Sequence, residues 1–155
     1  MTDRVCLVIP YFEAGEDLVS TLNSVNLREE DLVLVIDDGS SMQPARQYCP
    51  DSVGPTPVHL IVLPKNFGIV GALQAGMDNI PEGYEFIARL DCGDTCDATR
   101  FEKQRRFLAE NPEYGLVGSW VEFVSPSGKS QYSVRYPSTN RAVKNYIRVG
   151  SAFSH

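Results

Sequence analysis

The chain has 155 residues, of which 43% are hydrophobic and 22% are charged, as in an ordinary globular domain with a substantial core. Its net charge of −6 is uneven, since residues 1–99 hold 5 Lys or Arg against 16 Asp or Glu, and residues 100–155 hold 9 against 4. This acidic body argues against a broad nucleic-acid-binding face, and no apolar run approaches the length of a transmembrane helix. Because no export signal begins the chain, we expect a cytoplasmic protein with four reduced cysteines.

The basic C-terminal segment has two interpretations. It could meet an anionic partner, including the cytoplasmic face of a membrane. The alternative, which we favour, is a solvated helix face that carries Arg100, Lys103, Arg105 and Arg106.

Three buried strands and one helix are predicted in the first part of the chain. Val5–Pro10 and Leu32–Ile36 are continuous apolar runs rich in β-branched residues, which is typical of strands buried on both faces. Between them, Leu18–Val25 has its apolar residues at helical spacing. Val58–Leu63 is the third strand and follows an irregular stretch rich in proline.

A second helix, a fourth strand and a third helix follow. Ile69–Met77 is predicted to be helical, and its small residues allow close approach to a sheet or a ligand. Phe86–Leu90 is the fourth strand. Ala98–Glu110 is predicted to be a helix with Asp97 as its N-cap.

The remaining residues predict two strands and a short helix. The strands are Leu116–Val124 and Gln131–Tyr136, joined by a turn at Pro126–Gly128, and the helix is Thr139–Ile147. The alternation of strands and helices along the whole chain predicts an α/β fold with a mostly parallel central sheet flanked by helices.

Unusual residues follow four of the predicted strands. The carboxyl ends of parallel strands lie along one edge of a sheet, and this edge is where open α/β sheets bind their ligands. The four segments are Pro10–Glu13, Asp37–Ser40, Lys65–Gly68 and Asp91–Asp94. We therefore predict that these segments together form the functional site.

The segment after the fourth strand is the most acidic of the four. Asp91, Asp94 and Asp97 are spaced three residues apart, and such carboxylates repel one another unless a cation or a donor lies among them. Mn²⁺ or Mg²⁺ held by Asp91 and Asp94 would supply the positive charge that a diphosphate site needs. In the simpler alternative, Asp94 and Asp97 only cap the following helix, and Arg89 pairs with one of the acids.

The other strand ends suit a nucleoside. An aromatic side chain after the first strand can stack on a base, unless Tyr11 and Phe12 are both core residues. Asp38 can accept a hydrogen bond from a base imino group or a ribose hydroxyl. Neither GxGxxG after the first strand nor GxxxxGK[ST] is present, so dinucleotide-binding and P-loop proteins are not indicated. A receiver-like phosphorylation domain is disfavoured because no acid pair ends the first strand.

Several motifs in order resemble family 2 glycosyltransferases, which are inverting enzymes of the Rossmann-like GT-A fold that use nucleotide-sugar donors. The motifs are IPYFEAGEDLVSTLNSV, VLVIDDGS, NFGIVGALQAGMD, IARLDCGD and RFEKQRRFLAENPEYGLVGSWV, and the resemblance runs from Val5 to the end of the chain. It implies a nucleotide-diphospho-sugar donor, with UDP as the expected nucleotide. It also implies inverting, hexosyltransferase-type transfer to a hydroxyl of a glycan or lipid-linked acceptor in polysaccharide biosynthesis.

The resemblance further implies roles for individual residues. Phe12 would lie against a uracil-type base, and Asp38 would hydrogen-bond that base. Asp91 matches the first acid of the family's D-x-D metal motif, close to the ribose and the metal. The implied nucleotide-binding residues are Pro10, Phe12, Glu13, Asp38, Asn66, Gly68 and Asp91, and the implied metal ligands are Asp91 and Asp94.

Two positions depart from the family pattern. Glu13 replaces an asparagine, which leaves its contact with the nucleotide open. Gly93 replaces the acid expected to hold the metal, and Asp94 is the predicted substitute. A weakened metal site is the alternative.

The sequence does not assign a catalytic base. An inverting transfer needs a carboxylate that takes the proton of the acceptor hydroxyl. In the family this residue lies downstream of the segment that matches Arg148–His155, and His155 itself is interpreted as part of a truncated motif. We therefore expect residues 1–155 to be a single donor-binding domain of a longer enzyme, inactive alone. The alternative is a non-catalytic nucleotide-sugar-binding module of the same fold.

Overall fold

The computed structural model describes residues 3–125 and 127–154. The chain forms two compact units, divided between Glu110 and Asn111. A single domain over residues 1–155 stays a prediction, since two compact units can belong to one domain.

The first unit is built on a five-stranded sheet. Its strands are β1 (Val5–Tyr11), β2 (Leu32–Asp37), β3 (Ser52–Val53), β4 (Thr56–Val62) and β5 (Phe86–Arg89). The order across the sheet is β3-β4-β2-β1-β5, and all neighbours are parallel except β3 and β4. The predicted α/β fold with a mostly parallel sheet is thus confirmed. The sequence does not predict β3, because a strand of two residues has no periodicity.

Helices cover both faces of this sheet. α1 (Asp17–Ser24) and α3 (Arg100–Glu110) contribute side chains to the hydrophobic cluster on one face, and α2 (Gly68–Asp78) contributes to the cluster on the other. α2 lies so close to the sheet that a Cβ atom on Gly76 would be 2.6 Å from Val8 Cγ1. The small residues of this helix therefore allow close approach to the sheet, as predicted.

The central strand β1 shows why both faces are covered. Leu7 and Ile9 belong to one cluster together with Leu18 of α1, whereas Val8 belongs to the other with Ala72 of α2. Because side chains alternate between the two faces of a strand, a continuous apolar run supplies both clusters at once.

A buried ion pair attaches α3 to the sheet. Arg105 Nη2 lies 2.5 Å from Asp31 Oδ2, and the two side chains are 2% and 0% exposed. Asp31 also accepts hydrogen bonds at 2.8 Å from the backbone N–H groups of Val5 and Arg28. The predicted solvated face of α3 is therefore wrong for Arg105. The partner acid lies 74 residues earlier, and the charge pattern of the helix does not reveal it.

The first turn of α3 also differs from the prediction. The helix begins at Arg100, two residues later than the predicted Ala98. Asp97 Oδ1 accepts a hydrogen bond from the Thr99 N–H at 2.9 Å and another from the Thr99 hydroxyl. Asp97 O also accepts from the Arg100 N–H at 2.9 Å, so Asp97 caps the turn that leads into the helix, as predicted, although the regular helix begins later.

The second unit contains a hairpin and a short helix. β6 (Val121–Val124) and β7 (Ser130–Val134) pair antiparallel, and α4 (Asn140–Tyr146) follows. The predicted strand over Leu116–Val124 is wrong for residues 116–120, which form no strand. The Thr139 hydroxyl accepts a hydrogen bond from the third residue of α4 and caps this helix.

Two sequence predictions fall on residues outside the described part of the chain. They are the interpretation of His155 and the place of Pro126 in the turn of the hairpin. Beside Pro126, the Gly128 N–H donates to Ser125 O at 2.8 Å. Within residues 3–125 and 127–154, no helix is long and apolar enough to cross a membrane.

Candidate functional site

The segments that follow the parallel strands meet at one edge of the sheet. The strand register places Tyr11 beside Asp37, and Asp37 beside Val62, so these strands end level with one another. The Asp38 N–H donates to Tyr11 O, and the Leu63 N–H donates to Asp37 O, both at 2.8 Å. β5 lies on the other side of β1 and runs in the same direction. The predicted grouping of four strand ends is therefore confirmed.

Asp38 connects the end of β2 with the start of α2. The residue is only 3% exposed, and its two carboxylate oxygens accept hydrogen bonds from the N–H groups of Phe67 at 2.7 Å and Gly68 at 2.8 Å. Asn66 Oδ1 accepts a further bond from the Gly68 N–H at 2.9 Å. Negative charge is favourable at a helix N-terminus, where backbone N–H groups lack partners within the helix. Each carboxylate oxygen keeps a second lone pair for a ligand.

Gly39 allows the segment after β2 to pass very close to the loop that precedes α2. Its φ is +74°, and a Cβ atom here would lie 2.4 Å from the carbonyl carbon of Lys65. No side chain fits that space, and L-residues disfavour this backbone conformation. Gly39 therefore sets the distance at which Asp38 reaches the start of α2. The sequence placed Gly39 in a candidate segment but did not reveal this packing role.

The two aromatic residues after β1 have different environments. Tyr11 is a core residue with 1% exposure, whereas Phe12 is 49% exposed. The Tyr11 hydroxyl donates to Gln43 O and accepts from the Gly15 N–H at 2.9 Å, and burial raises the pKa of this phenol. Pro10 lies buried within β1. Phe12 is thus the aromatic side chain that is available to stack on a base.

The Glu13 carboxylate holds the segment that follows Ser40. Its oxygens accept hydrogen bonds from three successive backbone N–H groups, those of Ser41 at 2.7 Å, Met42 at 3.1 Å and Gln43 at 2.6 Å. The Glu13 N–H in turn donates to Ser40 Oγ at 2.9 Å. These bonds, led by the one from Ser41, lower the pKa of the Glu13 carboxyl group.

Asp91 is held by an ion pair at the end of β5. Arg89 donates to both of its carboxylate oxygens, from Nε at 2.7 Å and from Nη2 at 2.9 Å. The Arg100 side chain donates to Arg89 O at 2.9 Å and ties the start of α3 to the same place. The predicted pairing of Arg89 with one of the three acids is confirmed.

Asp94 lies in the turn beyond Asp91. Its N–H donates to Asp91 O at 3.0 Å, and Gly93 between them has a φ of +97°. Burial raises the pKa of the Asp94 carboxyl group, the negative charge of Asp91 raises it further, and Arg100 opposes both effects. A nearby cation would lower this pKa again, because it would stabilise the ionised carboxylate.

Carboxylate oxygens such as those of Asp91 and Asp94 are the kind of ligand that Mn²⁺ and Mg²⁺ prefer. Within the described ranges, no group of three or more His, Cys, Asp or Glu side chains is placed to hold a metal. Mn²⁺ and Mg²⁺ commonly bind through one or two carboxylates and complete their coordination with water and substrate phosphates. By the chemistry of their oxygens, Asp91 and Asp94 suit such a site. Arg89 already compensates the negative charge of Asp91, so the Asp94 carboxylate is the better direct ligand.

Open α/β sheets bind their ligands at this edge, which here carries an exposed aromatic ring, a buried aspartate and a pair of acids beyond parallel strands. The sequence model of the family described as Glycosyl transferase family 2 matches residues 6–153. The chain therefore belongs to glycosyltransferase family 2, and the GT-A fold predicted from the resemblance is confirmed.

Individual relatives agree with this assignment. The chain is 29% identical over 140 residues to the amylovoran biosynthesis glycosyltransferase AmsE of Erwinia amylovora. The aligned region covers 90% of this chain and 51% of AmsE. It is also 31% identical over 94 residues to the UDP-Gal:alpha-D-GlcNAc-diphosphoundecaprenol beta-1,3-galactosyltransferase of Escherichia coli. Here the aligned region covers 60% of this chain and 33% of that enzyme. The chain thus spans between a third and about half of these curated relatives.

A solved structure shows the same fold. The crystal structure of residues 1–349 of S. aureus TarS superposes with a TM-score of 0.59 at 18% identity, over 70% of this chain and 33% of TarS. At this identity the likeness concerns the fold alone.

The structure gathers several of the residues that the sequence singled out into two local groups at this edge. Asp38, Asn66 and Gly68 lie in one hydrogen-bonded group, and Asp91 lies next to Asp94 in one turn. The ligand roles given to Pro10, Phe12, Glu13, Asp38, Asn66, Gly68, Asp91 and Asp94 stay predictions.

Proposed function

We propose that this chain binds a nucleotide-diphospho-sugar, with UDP as the nucleotide, and contributes the donor site of an inverting transfer to an acceptor hydroxyl. The observation that carries the proposal is the position of Phe12, Asp38 and the Asp91–Asp94 pair beyond neighbouring parallel strands, in a chain that belongs to family 2. In the strand order, the segments that carry Phe12 and Asp38 follow the neighbouring strands β1 and β2, and the acidic segment follows β5 on the other side of β1.

Each group has a defined task in donor binding. Phe12 offers its exposed ring to the base, and the remaining lone pairs of Asp38 accept from the base or the ribose. Asp94, with Asp91 beside it, would hold Mn²⁺ or Mg²⁺. Such an ion neutralises a diphosphate and stabilises it as a leaving group. Transfer then requires a base that removes the proton of the acceptor hydroxyl, and we assign no residue to that step.

The names of the relatives support the choice of substrates. One relative is named for UDP-Gal and for an acceptor sugar on diphosphoundecaprenol, and another for amylovoran biosynthesis. We therefore propose a hexosyl donor and a glycan or lipid-linked acceptor in polysaccharide biosynthesis. Residues 100–155 remain basic even though Arg105 is paired with the buried Asp31, and this charge supports a location at the cytoplasmic face of a membrane, where anionic lipids attract basic segments.

A thermal-shift panel tests the proposal at the level of the donor. UDP-sugars should raise the unfolding temperature in the presence of Mn²⁺, because a ligand that binds only the folded state stabilises it. ADP-sugars and GDP-sugars should raise it less. An equal shift with every nucleotide would overturn the choice of UDP.

The metal assignment has its own test, because Asp94 and Asp97 offer a matched pair of substitutions. In the wild-type chain we expect Mn²⁺ to tighten UDP binding by about tenfold, or ~1.4 kcal/mol. Asp94→Asn should abolish this gain, whereas Asp97→Asn should preserve it, since Asp97 is engaged with Thr99. Titration calorimetry with and without Mn²⁺ measures both.

Two outcomes would contradict the metal assignment. If UDP binds the wild-type chain equally well with and without Mn²⁺, neither Asp91 nor Asp94 holds a metal. If Asp97→Asn loses the Mn²⁺ effect as fully as Asp94→Asn, the assignment to Asp94 is wrong.

A second candidate is a module of the same fold that binds the donor without transferring the sugar. Gly93 in the acidic motif and the Arg89 ion pair on Asp91 favour it, since both weaken a metal site. Slow, metal-dependent hydrolysis of a UDP-sugar by this chain would favour the transferase instead.

A further inference from the structure

Glu13 connects the loop after β1 to the loop after β2 through five hydrogen bonds. Its carboxylate accepts from the N–H groups of Ser41, Met42 and Gln43 and from the Ser41 hydroxyl at 3.3 Å, and its own N–H donates to Ser40 Oγ. We call this set of bonds the Glu13 clamp. Bonds between backbone N–H groups and an ionised carboxylate are among the stronger hydrogen bonds in proteins.

The backbone of Glu13 is itself under strain. Its φ is +48°, and within residues 3–125 and 127–154 it is the one non-glycine residue with a positive φ. Such a conformation persists in a residue with a long side chain only when the surrounding contacts hold it. The Glu13 clamp supplies these contacts. An asparagine, which the family usually has here, tolerates the left-handed conformation more easily but has a shorter side chain.

The clamp lies between the two groups proposed to recognise the base. Phe12 directly precedes Glu13, and Asp38 lies two residues before Ser40 in the loop that the clamp holds. Tyr11 braces the same two loops, since its hydroxyl contacts Gln43 O and the Gly15 N–H. Glu13 Oε1 accepts three of these bonds and Oε2 accepts one, so the contacts of the carboxylate are with the loop after β2.

We propose that Glu13 is a positioning residue, which fixes Phe12 relative to the Asp38 loop and thereby sets the preference for the base. This inference rests on the proposed function and deepens it. It replaces the direct nucleotide contact that the resemblance implied for Glu13 with an indirect role. A preorganised pocket binds more tightly and more selectively than one that must order its loops on binding.

The test compares three variants with the wild-type chain. Glu13→Ala removes all bonds of the carboxylate, and Glu13→Gln keeps one acceptor but places an amide NH₂ opposite the Gln43 N–H. Glu16→Gln is the matched control, because Glu16 is an exposed acid in the same loop whose side chain makes no capping bond. Calorimetry measures the affinities for UDP and ADP, and thermal unfolding measures the stability of each variant.

We expect Glu13→Ala to bind UDP about tenfold more weakly and to lose most of its preference for UDP over ADP. Glu13→Gln should show an intermediate loss, and Glu16→Gln should equal the wild type. The change in preference identifies positioning, because a purely structural residue would lower both affinities by the same factor.

The possible failures can be told apart. If the wild-type chain binds UDP but Glu13→Ala and Glu13→Gln keep its affinity and its preference, the positioning role is wrong and the proposed function stands. If both variants lose UDP and ADP affinity by one common factor, Glu13 is only structural. If the wild-type chain binds no nucleotide, the proposed function fails and this inference fails with it.

Discussion

Replacing Arg105 by alanine should lower the free energy of unfolding by about 3–5 kcal/mol, which is the typical cost of removing one partner from a buried ion pair. The substitution leaves the Asp31 carboxylate without its cation at a position with 0% exposure. Asp31 would keep the two backbone N–H groups of Val5 and Arg28, which limits the cost but does not replace the charge. Urea denaturation followed by far-ultraviolet circular dichroism measures the change.

Arg106 provides the control for this experiment. It is the next residue of the same helix and is exposed, so Arg106→Ala should change stability by no more than about 0.5 kcal/mol. A cost below about 1 kcal/mol for Arg105→Ala would place that side chain in solvent and contradict the ion pair with Asp31.

Gly39→Ala should have the second large effect, on stability and on nucleotide binding together. A left-handed alanine costs about 1–2 kcal/mol by itself. The added Cβ atom would also meet the Lys65 backbone at 2.4 Å, which forces the end of β2 away from the loop before α2. The two hydrogen bonds from Phe67 and Gly68 to Asp38 would then be lost, at roughly 1–3 kcal/mol each. We expect a total near 3 kcal/mol or more and a loss of UDP affinity of at least about tenfold.

Gly54 separates the conformational cost from the steric one. Its φ is +56°, in the same left-handed region, but nothing lies within 4 Å of a Cβ atom built on it. Gly54→Ala should therefore cost only about 1–2 kcal/mol and leave nucleotide affinity unchanged. Equal stability losses at the two glycines would show that the close approach of Gly39 to Lys65 is not important.

The sequence predicted the sheet well because the physical signal was local. Continuous apolar runs at Val5–Pro10 and Leu32–Ile36 can be buried only by helices on both sides, and both runs became central strands. The same runs predicted where the strands end and hence which segments meet. The strand at Leu116–Val124 was overpredicted, because an apolar run does not show how much of it pairs with a neighbour.

The contacts that shape the site could not be predicted in this way. Asp38 reaches N–H groups 29 and 30 residues later, and Glu13 reaches a segment 28 to 30 residues later. The identity of an acid does not show whether its carboxylate faces a ligand or the backbone of another loop. Arg105 shows the same limit, since its charge resembled that of its exposed neighbours until the fold placed Asp31 beside it.

Above all, we propose that the edge beyond β1, β2 and β5 is a donor site for a UDP-sugar. Titration calorimetry of this chain with UDP and UDP-galactose in the presence of Mn²⁺ tests it most directly, because binding does not depend on an acceptor or a catalytic base. We predict dissociation constants between about 1 μM and 1 mM, in the usual range for enzyme substrates, and a large loss of affinity in Gly39→Ala. No measurable binding of either ligand at millimolar concentration, or equal binding by the wild type and Gly39→Ala, would contradict the claim.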